Sequence, residues 1–150
     1  MQITAFEPRH AQAWKHLNEA WIAKHFILEP KDREVLDDPA GTILAKGGAI
    51  FMGQRDGEAI GCVGLIALPD GGFEVAKMTV SEAARGLGLG KLLMAACIDH
   101  ARLVGAPRLY LETNSALAPA LAVYRAAGFV ELPPRPTPYA RADVFMELVF

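Results

Sequence analysis

Residues 73–80 read FEVAKMTV, residues 81–84 SEAA, residues 85–90 RGLGLG and residues 91–93 KLL. An apolar run of strand length ends, a short polar step follows, and three glycines open a helix. Glycine has no Cβ, so chain and ligand can approach closely. The free N–H groups of a first helical turn point outward at that spot. Arg85, Gly86, Gly88 and Gly90 therefore space a turn suited to an anion, and a diphosphate is the first ligand to look for. A glycine-rich turn with no ligand is the alternative.

Two familiar phosphate patterns do not fit. A Walker loop needs Ser or Thr after Gly-Lys and a glycine five residues before the last one. Here Leu92 follows Gly90-Lys91, and Gly86 stands only four residues back. A dinucleotide fingerprint belongs at the end of a first strand, with different glycine spacing and an acid about 20 residues on. These glycines lie past the middle of the chain.

Working outward, 150 residues suit one domain, residues 1–150, with one buried core. Apolar residues make up 52% of the chain, as in a globular protein, and the net charge of −2 supplies no basic field for nucleic acid. Cys62 and Cys97 fit neither a metal spacing nor a disulfide framework, so both read as buried thiols in a reducing compartment, and no metal is expected. The first residues lack a signal-peptide pattern, and no apolar run reaches the roughly 18 residues of a membrane span. The expectation is a cytoplasmic monomer or homodimer with no membrane partner.

Residues 2–6 read as a short edge strand. Residues 11–26 read as a helix, with Trp14, Leu17 and Trp21 at three- and four-residue steps. That stripe is either core or, towards Trp21, His25 and Phe26, the wall of an acceptor pocket. Glu29-Pro30 starts a second short helix that Asp37-Asp38-Pro39 stops. Asp56-Gly57 between apolar runs predicts a hairpin joining strands 49–54 and 58–68. Gly61 and Gly64 inside the second strand predict a bulge or a close neighbour. The next strand is 73–80. Residues 89–104 form a long helix carrying a semi-buried structural His100. Residues 109–113 form a strand parallel to 73–80 through a strand–helix–strand crossover. A helix over 116–127, a strand over 130–133, a proline-rich surface loop and a last strand over 144–150 complete the chain.

On these residues the chain resembles the GNAT superfamily of N-acetyltransferases, as its compact bacterial members. The segments carrying the resemblance are GGAIFMGQRDGEAIGCVGL, FEVAKMTV, RGLGLGKLLM, LYLETNS and AVYRAAGF. Arg85, Gly88 and Gly90 match the family's coenzyme turn. Tyr124 on a helix closed by Gly128-Phe129, after a strand ending at Asn114, is the more discriminating signature. The resemblance implies an α/β (α+β) fold, with a mixed, mostly antiparallel sheet that splays open and is flanked by helices. It implies acetyl-CoA as cosubstrate. The backbone at Met78 and Val80 would pair with the pantetheine amides. Leu87, Gly88, Leu89 and Gly90 would wrap the diphosphate, with Arg85 beside it and Lys91 as a helper or an ordinary surface lysine.

The implied activity is acetyl transfer to a primary amine of a small molecule, amino acid or peptide, directly within a ternary complex. Deprotonating a lysine-like amine at neutral pH costs about 4–5 kcal/mol, so a base or a water chain leading to one is useful. Tyr124 is the expected general acid, Glu74 the base through water, and Asn114 an orienting group; Glu112 is a weaker alternative base. Trp21 and Phe26 would wall the acceptor site, and Arg141 would take a carboxylate on the acceptor. A non-catalytic coenzyme-binding or protein-interaction module with this fold is the alternative. No Gly-x-Ser-x-Gly elbow or Ser-His-acid arrangement is present to suggest a covalent enzyme intermediate.

Overall fold

A computed structural model describes residues 1–150. Seven strands form one sheet: β1 (Gln2–Ala5), β2 (Ala49–Arg55), β3 (Glu58–Ala67), β4 (Phe73–Val80), β5 (Arg108–Thr113), β6 (Val130–Leu132) and β7 (Val144–Val149). Their spatial order is β1-β2-β3-β4-β5-β7-β6. Every neighbouring pair is antiparallel except β4–β5. The helices are α1 (Ala11–His25), α2 (Pro30–Asp37), the one-turn α3 (Pro39–Thr42), α4 (Leu89–Leu103) and α5 (Ala118–Ala127). The mixed, mostly antiparallel sheet and its flanking helices are those expected. The helix expected from residue 116 begins at Ala118, because Asn114 first closes a turn onto the Ala116 N–H.

The turn chemistry behaves as its residues dictate. Asp56 and Gly57 both take positive φ, 53° and 79°, which is what a two-residue hairpin turn needs to match strand twist. Pro30 occupies the first turn of α2, where its missing N–H leaves no bond unmade.

Each face of the sheet has its own core. Val63, Leu65, Phe73, Val75, Leu109 and Leu111 pack with Leu89, Leu93 and Cys97 of α4 and with Leu121 and Tyr124 of α5. Ile50, Met52 and Cys62 pack on the opposite side with Trp14 and Ile22 of α1 and Val35 and Leu36 of α2. His100 lies between Phe51 and Phe73, with ring centroids 5.8 and 5.7 Å away. Both cysteines are buried and free.

Two irregularities set the geometry. In β3, Gly53 opposes Gly61 while Gln54 opposes Ala59, so Ile60 is an extra residue. In β4, Cys62 opposes Thr79 while Gly64 opposes Ala76, so Lys77 and Met78 together face Val63. The second is a β-bulge, and Lys77 takes φ 58° to make it. Strict alternation would aim Lys77 with Phe73 and Val75 at α4. The bulge turns it to the α1–α2 face instead.

Gly61 and Gly64 answer to close neighbours. A Cβ on Gly61 would stand 2.7 Å from Leu89 Cδ2 and 2.9 Å from the Thr79 carbonyl oxygen. One on Gly64 would press Trp14 at 3.1 Å and Ile43 at 3.2 Å. Gly61→Ala should therefore cost about 1–3 kcal/mol through overpacking, read as a lower urea midpoint at unchanged m-value. Trimming Leu89 to alanine in the same chain should make the two losses less than additive. Simple addition would mean that the two groups do not meet.

Candidate functional site

The site begins where the sheet parts. β4 and β5 are paired only at Phe73–Leu109 and Glu74–Tyr110. Beyond Glu74 the strands diverge, and a cleft of about 640 Å³ opens between them. Ser81 donates its N–H to the Ile60 carbonyl at 2.8 Å, and Gly61 opposes Val80. Bonded and non-bonded pairs alternate along an antiparallel ladder. The Val80 N–H and C=O therefore turn away from β3, towards the gap.

The glycine turn closes one end of the cleft. Gly86 and Gly88 take φ 78° and 80°, a region that side chains disfavour. A Cβ added at either would meet nothing within 4 Å, so the hollow in front of them is open. α4 starts at Leu89, and Gly88, Leu89 and Gly90 line the cleft together with Arg85 and Lys91. These residues fit a diphosphate: a positive helix end, backbone N–H groups and two flexible cations. Leu87 is placed differently. Its side chain is exposed and outside the cleft wall, leaving only its backbone beside the turn. The Leu89 side chain is wholly buried in the core.

Tyr124 forms part of the wall on the α5 side. It is buried, and its ring lies 6.1 Å from that of Phe129. Burial, and then the nearby Cys97 sulfur, push its hydroxyl up to about 12, so it holds its proton through neutral pH and can only donate one. Glu74 stands at the apex of the gap. Burial first, then the charge of Glu112, push its carboxyl up to about 7, against the opposing pull of Lys77 and Lys31. A group balanced at that value can take a proton near neutral pH and release it again.

Asn114 lines the cleft, but both ends of its amide are committed. Nδ2 donates to the Arg141 carbonyl at 2.7 Å, and Oδ1 accepts the Ala116 N–H at 2.8 Å. It ties the end of β5 to the segment before β7, which makes it a positioning residue. Trp21 and Phe26 line the opposite side with ring centroids 6.0 Å apart, together with His25, the last residue of α1. Trp14 of the same helix goes to the core.

Arg141 is where expectation and structure part. It lines the cleft, but its guanidinium grips Asp32 through two bonds of 2.8 and 2.6 Å and reaches Glu29 at 3.2 Å. A guanidinium so held is not a free clamp for a carboxylate. Lys77 joins the same carboxylate at 2.5 Å, and its ammonium sits 4.6 Å from the centre of the Tyr139 ring. Burial pushes Asp32 up, but hydrogen bonds from Arg141, Lys77 and the Glu29 N–H outweigh it and hold the carboxyl well below the usual range. At Lys77 burial outweighs the pairing, so its ammonium is lowered.

Asp32, Lys77, Tyr139 and Asn18 were not legible as site residues. In the first turn of α2, Asp32 also caps the helix by accepting the Glu29 N–H at 2.9 Å. The one available signal was Lys77, a charge in the middle of an apolar strand. Asn18 is buried, accepts the Thr79 hydroxyl at 2.8 Å and donates to the Trp14 carbonyl at 2.9 Å, fixing α1 against β4 beneath the cleft. No group of three or more His, Cys, Asp or Glu is placed to hold a metal ion, and no helix is long and apolar enough to cross a membrane.

This fold and site define an acetyltransferase class, and comparison with known proteins places the chain in it. Residues 10–129 match the Acetyltransferase (GNAT) family, and the chain belongs to that family. A mycothiol acetyltransferase of Thermomonospora curvata is 34% identical over 136 residues, which cover 85% of this chain and 43% of that protein. The chain thus spans less than half the length of that relative. A GNAT-family acetyltransferase from Staphylococcus aureus superposes with a TM-score of 0.87 at 20% identity, over 97% of this chain and 96% of that one. A Salmonella typhimurium protein solved with its cofactor acetyl-CoA superposes at 0.75 with 20% identity, over 99% and 93% of the two chains. At such identities the likeness is one of fold.

The Glu74 assignment can be read directly. Carbon NMR of the Glu74 carboxyl should titrate with a midpoint of about 7, and Glu112→Gln should lower it by removing a like charge. Because the folded state holds this proton more tightly than the unfolded chain, Glu74 should draw stability down as pH rises from its ordinary 4.5 through about 7. Glu74→Gln should abolish that slope. A midpoint at the ordinary value would place the carboxylate in water.

Proposed function

We propose that this protein is an acetyl-CoA-dependent N-acetyltransferase that moves the acetyl group to a primary amine by direct transfer in a ternary complex. The single observation that carries this reading is the early parting of β4 from β5, which leaves an unpaired strand edge between a glycine turn and a buried tyrosine. An extended amide-bearing chain can satisfy that edge as an added strand would. Pantetheine is such a chain, and the turn at Arg85 to Gly90 receives the diphosphate at its end.

Acetyl-CoA supplies the activated acyl group as a thioester. The rest of the chemistry falls to the chain. The Val80 N–H, facing the gap, is positioned to hold the negative charge that develops on the acyl oxygen. Tyr124 keeps its proton at neutral pH and hands it to the departing sulfur. Glu74, reaching the amine through water, takes the proton that the acceptor must lose. Met78 and Val80 orient the pantetheine arm, while Trp21 and Phe26 shield the acceptor side from solvent.

Three measurements test this. An acetylation screen over small amines, amino acids and peptides should find a substrate; tight acetyl-CoA binding with no turnover across the panel would instead favour a non-catalytic coenzyme-binding module. Gly90→Val is the clean probe of the turn. Gly90 lacks the positive φ of Gly88, and its added Cβ would meet only Val123 at 3.9 Å. The variant should keep its melting temperature and lose acetyl-CoA affinity in calorimetry, whereas Gly88→Val should lose both. Unchanged affinity in Gly90→Val would remove the diphosphate from this end. Tyr124→Phe should leave coenzyme binding near normal and lower kcat by about 10²-fold. Wild-type kcat, with chemistry shown to be rate-limiting, would mean that the thiolate leaves without this proton.

A further inference from the structure

The acceptor side of the cleft carries four charged walls, Glu74, Lys77, Glu112 and Arg141. Its two cations are already spoken for. Asp32 is 0% exposed and receives both: Lys77 at 2.5 Å and Arg141 at 2.8 and 2.6 Å. Glu29 adds a second carboxylate to Arg141 at 3.2 Å. Tyr139 fills the remaining space, with its ring 4.6 Å from both cationic groups and its hydroxyl 3.3 Å from the Lys77 ammonium. Two positive and two negative charges thus cancel within one packed cluster.

Neither acid on the wall forms an ion pair with a cation, and with Glu74 only partly ionised near neutral pH the balance is carried mainly by Glu112. Glu74 and Glu112 lie on the same face, because Glu74 is in register with Tyr110 and Glu112 follows two residues later. Glu112 accepts hydrogen bonds from the Tyr110 and Thr137 hydroxyls, which orient its carboxylate without neutralising it. The other nearby cations are engaged elsewhere. Lys31 pairs with Glu34, and Arg108 pairs with Asp70 and Glu147. Arg135 stacks on the Tyr110 ring at 5.6 Å and does not line the cleft.

We propose that Asp32 is a specificity-determining residue: by committing both Lys77 and Arg141 it leaves the acceptor side net negative, so the preferred acceptor is an amine carrying a second cationic group rather than a carboxylate. The proposal rests on the transferase reading above. It follows from charge complementarity in a partly desolvated space, where a like charge is rejected more strongly than a neutral group.

The test uses three probes with the same four-carbon chain: putrescine, butylamine and γ-aminobutyrate. Their binding to the CoA-loaded protein is measured by calorimetry at neutral pH, alongside kcat/KM with acetyl-CoA. Putrescine should bind at least about tenfold more tightly than γ-aminobutyrate, with butylamine between them. Glu112→Gln should lose putrescine affinity more than butylamine affinity and leave acetyl-CoA binding unchanged. Asp32→Asn releases two cations and should reverse the order, placing γ-aminobutyrate ahead of putrescine. If circular dichroism shows that this variant does not fold, Glu29→Gln frees Arg141 in part and should narrow the gap in the same direction. Equal or tighter binding of γ-aminobutyrate by the unaltered protein overturns the proposal. So does failure of all three probes to bind while acetyl-CoA binds, an outcome that leaves the transferase reading standing. Failure of acetyl-CoA itself to bind overturns that reading and this one with it.

Discussion

The structure depends on a ladder that stops early. β5 is paired with β7 along its whole length, and β4 with β3 along nearly all of its own, yet β4 and β5 share only two registered positions. The break falls at the parallel joint of the sheet, where pairing is slightly weaker per residue. Two well-anchored half-sheets diverge there. Buried backbone N–H and C=O groups require partners, so the gap has a built-in demand for an extended polar chain. The cleft, the exposed strand edge and the seating of the glycine turn all follow from that divergence.

The bulge in β4 decides what faces the cleft. Adding Lys77 as an extra residue reverses the alternation beyond it, so Met78 and Val80 pack towards α4 and Thr79 towards α1. It also delivers the Lys77 ammonium to Asp32 on α2. Burying an ion pair carries a desolvation penalty that can exceed its Coulombic gain. The value of this cluster lies in what it connects: β4, α2 and the segment before β7 meet at one carboxylate. Removing Asp32 leaves two largely enclosed cations with only Glu29 beside Arg141, and removing Lys77 or Arg141 leaves Asp32 with one cation in place of two.

Burial works in two senses on the two catalytic candidates. It raises both Tyr124 and Glu74, because both charged forms are anions. For the tyrosine the result is a proton kept through neutral pH. For the glutamate, with Glu112 adding its repulsion, the result is a proton exchanged near neutrality. The same physical effect thus leaves one group protonated through neutral pH and the other exchanging its proton near it, on one cleft; the two candidates came from resemblance, and the burial that sets them apart is a product of the fold.

Local chemistry was legible in the chain by itself. Asp56-Gly57 specified a hairpin, RGLGLG a turn opening a helix, and Pro30 a helix start, because each depends on backbone preferences of the residues themselves. The crossover from β4 through α4 to β5 was legible for the same reason, from apolar runs of strand and helix length. That the sheet splays was implied only by the resemblance, and where it parts, just beyond Glu74 and Tyr110, was not legible, since that depends on two half-sheets and no single segment contains both. Arg141 shows the limit most plainly. In sequence it is a free cation in a polar loop; in the fold, Asp32 lies against it across 109 residues of chain and takes up its charge. Partners that distant are chosen by packing, so the charge that the cleft offers to an acceptor was settled only in three dimensions.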